Sequence, residues 1–429
     1  MSALPSAINY QEGLAVLPEN TQNFNVACVP VSGGAIGPSS QIQVDLGNRG
    51  FLDPASLLIR YKITYTLANT IIGYVVGTPV YTPFLRLETL VNSNTVESIN
   101  NYNTVANMLT NIQLGVSEKY GQQTAYGYEN TAAAPYSMEN LDGAVMLSAG
   151  TTITRWYSAP LIGLLSGSEK LIPLFLLNNI RLQFTLDTLA NMQTAKAASA
   201  LVTAITISNF EVCYNMVDFG HEVEREIIAM NPKIRIKSQS YSTGTQQIGT
   251  GLSGAFNLVY NQRFASVKSA YLSCGGNDAT KSYNRLMDAY DVTSGNGDYS
   301  FQIGSINYPQ KSLSTLNNRG GILQELRRSI NSIFGPTVSM SINSLEFNAP
   351  SSTVTTPVVP AKFWVGVNLQ KLTIPQKAFF TGISTQNSPI TVCININTAT
   401  SQAHTCMLIL NYDAIIEIDS STKQCILIQ

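Results

Sequence analysis

The segment Ile180-Arg181-Leu182-Gln183-Phe184-Thr185-Leu186-Asp187 alternates apolar and polar residues without a break. So does Ile390-Thr391-Val392-Cys393-Ile394-Asn395-Ile396-Asn397. A strand turns successive side chains to opposite faces, so this period of two predicts strands with one face in a core and one in water. The same alternation runs through 57–66 (LLIRYKITYT), from Phe210 to Met216, and from Cys406 to Ile418. The pattern predicts an all-β chain of antiparallel sheets.

Working outward, 429 residues argue for two or three domains at about 150 residues each. Hydrophobic residues make up 44 %, ample for a large core. Charged residues make up only 12 %, about half the usual quarter. The net charge is −1, so no long-range field steers nucleic acid or acidic lipid towards the chain. Neither a strongly basic genome-coating protein nor strong direct nucleic-acid binding is expected. Neutral polar residues, 20 Tyr and 30 Gly suit short strands and turns. Weak self-repulsion favours an oligomer.

The first residues, MSALPSAINYQEG, lack the basic and apolar regions of a signal peptide, so none is expected. The longest apolar runs, such as 171–177 (LIPLFLL), fall short of the roughly 18 residues that span a bilayer. Six cysteines (Cys28, Cys213, Cys274, Cys393, Cys406, Cys425) form no C-x-x-C pair and read as buried thiols rather than a disulfide framework. No Asn stands in an N-x-[ST] sequon, so no N-glycans are expected.

Two helical stripes interrupt the alternation. Val105, Met108, Leu109, Ile112 and Val116 share one face, with Gly121 as a stop. Ile322, Leu323, Leu326, Ile330 and Ile333 share another, ending at Gly335-Pro336. Both read as packing against a sheet. Each helix is followed by one of the two tryptophans, Trp156 and Trp364, expected in equivalent core positions. Each tryptophan precedes a cleanly alternating strand, starting at Ile180 or Ile390. Ile112 to Ile330, Trp156 to Trp364 and Ile180 to Ile390 are separated by 218, 208 and 210 residues, close to half the chain. Three ordered landmarks at one offset point to two copies of one domain. Between them, DFGHEVEREIIAMNP reads as a short connecting helix: Glu222 and Glu224 fill its first turn, Val223, Ile227 and Met230 lie one turn apart, and Asn231-Pro232 ends it. Each copy then holds about eight strands and one inserted helix, which is the jelly-roll pattern.

This plan resembles the double jelly-roll major capsid proteins of icosahedral DNA viruses, most nearly those of the polinton-like virus and virophage group. The fragments that carry the likeness are FLDPASLLIRYKITYT (51–66), LIPLFLLNNIRLQFTLD (171–187) and ISNFEVCYNMVDF (207–219) in the first half. In the second they are RFASVKSAYLSC (263–274), YSFQIGSINYPQKSL (299–313) and GISTQNSPITVCININ (382–397). The expected organisation is an N-terminal arm and first strand (1–39), a first jelly roll (40–220), a linker helix (221–232) and a second jelly roll (233–429). Some members of the family carry a basic or amphipathic arm, whereas residues 1–23 here hold only Glu12 and Glu19 as charges. The resemblance implies a structural virion protein with no catalysis. Three chains would form a pseudo-hexagonal homotrimer that meets neighbouring capsomers, penton proteins and minor capsid proteins. The long polar stretches 120–150 and 275–298 would form its outward towers.

No catalytic constellation emerges from the residues, and no cofactor or metal site is expected. His221 sits by the linker helix and His404 in a turn before a strand, and neither has a partner at ligand spacing. Asp413, Glu417 and Asp419 share the polar face of an alternating segment, the usual solvated arrangement. Lys233, Arg235 and Lys237 alternate with Ile234 and Ile236, so three cations face one way on a strand. They are the candidate interior or inter-subunit contact, with Arg225, Arg327 and Arg328 as further cations. Two other readings remain open: a tandem β-sandwich carbohydrate-binding protein, and a jelly-roll hydrolase using paired carboxylates across a concave sheet.

Overall fold

A computed structural model describes residues 21–67, 74–75, 78–127, 152–177, 179–194, 202–277, 287–316, 319–330, 340–342, 344–348, 361–371 and 380–429. The first half holds eight principal strands: β1 (Gln22–Cys28), β2 (Gln41–Asp45), β3 (Leu58–Leu67), β4 (Phe84–Val91), β5 (Asn94–Asn100), β6 (Thr152–Pro160), β7 (Ile180–Leu186) and β8 (Val202–Asp218). The second half repeats them as β9 (Lys233–Ile248), β10 (Gly254–Tyr260), β11 (Val267–Asn277), β12 (Gly297–Ile303), β13 (Ile306–Ser314), β14 (Val365–Asn368), β15 (Ile390–Ile396) and β16 (Ala403–Asp419).

Pairing follows one rule in both halves. The first strand pairs antiparallel with the eighth, the second with the seventh, the third with the sixth and the fourth with the fifth. A chain folded into one long hairpin and then rolled gives this pattern, so each half is a jelly roll. Its sheets run β1-β8-β3-β6 and β2-β7-β4-β5 in the first half, and β9-β16-β11-β14 and β10-β15-β12-β13 in the second. Short strands extend them, among them Cys425–Ile428 along β16.

The alternation seen in the sequence sets the cores. Ile180, Leu182, Phe184 and Leu186 are buried along β7, and Ile390, Val392, Ile394 and Ile396 along β15, with less buried residues between them. Phe184 packs edge-on to Phe210 at 5.2 Å between ring centroids, and Phe84 lies 5.3 Å from Phe184. Each large apolar side chain so enclosed gives about 1.5–3 kcal/mol from burial alone.

Both long inserted helices occupy the same connection, between the fifth and sixth strands. In the first roll the helical stripe breaks at Leu114-Gly115 into α1 (Tyr102–Gln113) and a shorter helix, Val116–Gly121, which leaves Val116 exposed. A third helix, α2 (His221–Met230), joins the rolls with no residue fully buried, so the expected apolar stripe of Val223, Ile227 and Met230 has no core to enter. In the second roll α3 (Arg319–Ser329) packs on β14. Ile333 and the expected stop at Gly335-Pro336 lie outside the described residues.

Trp156 lies in β6, and Trp364 directly precedes β14, the matching strand. The expectation that both sit in core positions needs correction. Trp364 is 1 % exposed, whereas Trp156 is 53 % exposed beside the buried Tyr157. Trp364 is thus enclosed among the buried residues, whereas Trp156 stands on an open part of its sheet. Trp364 Nε1 donates to Ser273 Oγ at 3.1 Å, and a Cβ on Gly366 would meet Leu326 and Ser329 of α3 at 2.8 and 2.9 Å.

Alternation along β15 makes a direct check. Ile394→Ala should cost about 2–5 kcal/mol in chemical denaturation, as a core cavity does. Asn395→Ala, one residue on and exposed, should stay within about 0.5 kcal/mol.

Candidate assembly site

The first roll meets the second through two sheet edges. β5 pairs only with β4, and β9 only with β16, among the described residues. Unpaired edges invite association, and here they lie against each other. Side chains rather than a backbone ladder join them. Ser240 Oγ on β9 donates to Glu97 on β5, Ser238 Oγ donates to the Leu164 carbonyl, and Thr243 Oγ1 donates to the Asn100 carbonyl at 2.9 Å. The Glu169 amide donates to the Lys237 carbonyl at 3.1 Å.

Glu97 is the centre of this seam. It is 3 % exposed and accepts hydrogen bonds from Thr89 Oγ1 at 2.9 Å and the Leu164 amide at 2.7 Å, besides Ser240. Burial disfavours the charged carboxylate and pushes its pKa above the ordinary 4.5, outweighing the three donors. Beside it, α1 lies across the outer face of the β9-β16-β11-β14 sheet. Asn107 Nδ2 donates to the Met287 carbonyl at 3.3 Å, and the Ser341 amide donates to the Asn111 carbonyl at 3.1 Å. Between helix and sheet is a crevice of about 240 Å3, lined by Asn103, Thr104, Asp187, Thr245, Met287 and Met407 among others.

The three candidate cations are on β9, and carboxylates face them. Lys233 Nζ is 3.0 Å from Glu417 Oε1, and Arg235 Nε is 2.7 Å from Glu417 Oε2. Hydrogen bonds from Arg235 and Lys233 hold the Glu417 carboxyl below its ordinary range. Lys237 behaves differently: its Nζ reaches Glu169 of the first roll at 3.2 Å, across the seam. Arg328 pairs with Glu325 on α3 at 2.7 Å, Arg327 is half-buried on the same helix, and Arg225 is exposed on α2.

Three expectations about acidic and imidazole groups change. Asp413 is not on a solvated face. It is 1 % exposed and accepts from Ser266 Oγ at 2.7 Å and the Thr381 amide at 3.0 Å, pinning a loop to the sheet. Glu417 is also mostly enclosed, and only Asp419 is at an open turn, where the Ser421 hydroxyl and the Ser421 and Thr422 amides hold its pKa down to about 2. His404 is within β16 rather than in a turn, and burial lowers its pKa to about 4. His221 is exposed and its Nδ1 lies 3.0 Å from Glu224 Oε2.

Of the two expected towers, 128–150 and 278–286 lie outside the described residues. The remainder of the second stretch is not an outward loop: Met287 to Thr293 is buried, because Asp291 takes Arg319 Nη2 at 2.9 Å and the Tyr299 hydroxyl at 3.0 Å. Sequence reading also missed the ion pair of Lys362 with Glu346, buried on both sides at 3.0 Å. Among the described residues no three His, Cys, Asp or Glu side chains gather as a metal site, and the six cysteines are free thiols.

Two complete jelly rolls in one chain, edge against edge, define the architecture as a double jelly roll. Solved structures that it resembles in fold include viral capsid proteins. The chain superposes on the Faustovirus major capsid protein with a TM-score of 0.62 at 10 % identity, covering 95 % of this chain and 92 % of that one. A chain of the Sputnik virophage structure gives 0.60 at 12 % identity, over 100 % and 92 %. The mavirus major capsid protein gives 0.54 at 10 % identity, over 100 % and 95 %. No protein-family model matches the chain, and no curated protein matches it in sequence.

Glu97 gives the seam a pH signature. A carboxyl with a raised folded pKa stabilises fully below its ordinary 4.5, and that stability is lost as pH rises through the folded value. His404 works oppositely, contributing above 6.5 and losing its effect as pH falls towards about 4. Glu97→Gln keeps His404 and removes the carboxyl titration. Denaturation from pH 4.5 upward should therefore show the variant gaining stability relative to wild type as pH rises.

Proposed function

We propose that this chain is a structural major capsid protein of an icosahedral DNA virus, without catalytic activity. Three copies form a trimeric capsomer whose six jelly rolls give a pseudo-hexagonal footprint, and such capsomers tile the facets of the shell. Its partners are neighbouring capsomers, penton proteins and minor capsid proteins. The protein is part of the virion, after assembly inside the host cell. The observation that carries this reading is the seam. Two jelly rolls are joined through buried groups, so that the pair acts as one building block rather than as two tethered modules. The double jelly-roll fold of the solved viral structures supports it.

Low charge predicts how the trimer holds. With 12 % charged residues, its interfaces rest on apolar and neutral hydrogen-bonding contacts, which salt does little to screen. Lys233 and Arg235, though mostly exposed, already pair with Glu417 and add little attraction for another subunit. Size-exclusion chromatography with light scattering should give three times 46.5 kDa from low to about molar salt at neutral pH. A monomer at every concentration would overturn the reading, and dissociation as salt rises would transfer the interface to ion pairs.

A further inference from the structure

Of the six cysteines, Cys274 on β11 and Cys406 on β16 stand directly opposite each other in the antiparallel ladder. The other four meet no cysteine in register. Cys28 opposes Val212 and Cys213 opposes Ala27, which turns their side chains to opposite faces of the β1-β8 pair. Cys393 opposes Asn257 and Ser300, and Cys425 opposes Ile418.

Hydrogen bonds around the pair fix its type. The Cys274 carbonyl accepts the Tyr290 amide at 2.8 Å, on the side of β11 away from β16. A strand residue turns its N–H and C=O the same way, so Cys274 and Cys406 are a non-hydrogen-bonded pair. Cys406 agrees: its carbonyl accepts the Tyr260 hydroxyl at 3.0 Å, and a Cβ on Gly244 of β9 would meet that tyrosine ring at 2.9 Å. At such a pair the Cα atoms lie about 4.5 Å apart and the side chains approach closely. A disulfide bridges Cα separations of roughly 4.4–6.8 Å. The two thiols also share a face. Ser273, Gly275, Thr405 and Met407, one residue to either side, line the crevice outside the sheet, so Cys274 and Cys406 point into the second roll. They are 2 % and 0 % exposed. Burial, with a hydrogen bond to the Cys406 thiol, pushes the Cys274 thiol well above its ordinary 9.0.

We propose that Cys274 and Cys406 are a modification site: on oxidation they join in a disulfide that staples β11 to β16 inside the second roll without moving either strand. The oxidant is a peroxide, small enough for an enclosed site. One thiol reduces hydrogen peroxide and becomes a sulfenic acid, releasing one water. The other thiol then attacks that sulfur, the S–S bond forms and a second water leaves. Enclosure keeps the reduced pair inert until local opening admits the oxidant. The bond closes the loop 275–405, which holds β12 to β15 and α3, and long loops gain most from a cross-link. A reducing cell leaves the pair as thiols, and an oxidising exterior closes it. For a particle that leaves its host, the second roll would stiffen after assembly. That consequence rests on the capsomer reading above; the bond itself does not.

The full chain, purified in reductant and then freed of it, is treated with dilute hydrogen peroxide. Peptide mapping without reduction should show Cys274 linked to Cys406, two hydrogens lighter than the separate peptides. Melting should rise by several degrees on oxidation and return to its starting value when a reducing thiol is added. Cys406→Ala and Cys274→Ala each remove one partner, so neither should show that rise. The wild-type peptide map needs no variant and stands even if both fold poorly. Recovery of Cys274 and Cys406 as free thiols, or as sulfinic acids, while the half-buried Cys28 and Cys393 have been oxidised overturns the proposal. So does a bond that leaves melting unchanged or lowers it, because it would then have formed by displacing the native strands. Neither result bears on the trimer, which light scattering reads separately.

Discussion

Two edge strands, β5 and β9, expose backbone groups that their own sheets leave unpaired, and the fold answers by setting one edge against the other. The link is made by side chains, with the carboxyl of Glu97 buried among Thr89, Ser240 and the Leu164 amide. A buried carboxyl is costly unless its oxygens are satisfied, and here three donors from both rolls converge on it. Losing either roll would strand the other's polar groups. The seam therefore ties the register of the two rolls to each other, with Lys237 and Glu169 as a second bond across it.

Around that contact the chain is organised by repetition. Both rolls use the same strand pairing and place a helix in the same connection, yet the repeated surfaces have different fates. One copy of each surface is consumed inside the molecule, and the other is left exposed. Trp364 and Trp156 mark the difference in a single residue type, one enclosed and hydrogen-bonded, the other at 53 % exposure.

Most of the fold was legible in the sequence because period-two alternation is a local signal. IRLQFTLD and ITVCININ each state which residues face a core, and their spacing, with that of the helices and tryptophans, states that the plan occurs twice. The seam was not legible. Glu97 in NTVESIN reads as an ordinary polar position, and the partner that encloses it, Ser240, is 143 residues away. Asp413 and the stretch from Met287 to Thr293 were misread for the same reason: their burial comes from elements distant in sequence. The cations Lys233, Arg235 and Lys237 were found as a group, but only Lys237 reaches the other roll.

Hydrogen exchange tests the rigid pairing of the rolls most directly, because seam amides are identifiable. In a locked pair, the Leu164 amide bound to Glu97 and the Glu169 amide bound to Lys237 open only with larger units of structure. Peptides covering 161–170 and 238–243 should then exchange on the timescale of the core strands β7 and β15. Exchange as fast as that of the exposed helix α2, while β7 and β15 stay protected, would mean that the rolls move independently and would contradict the account.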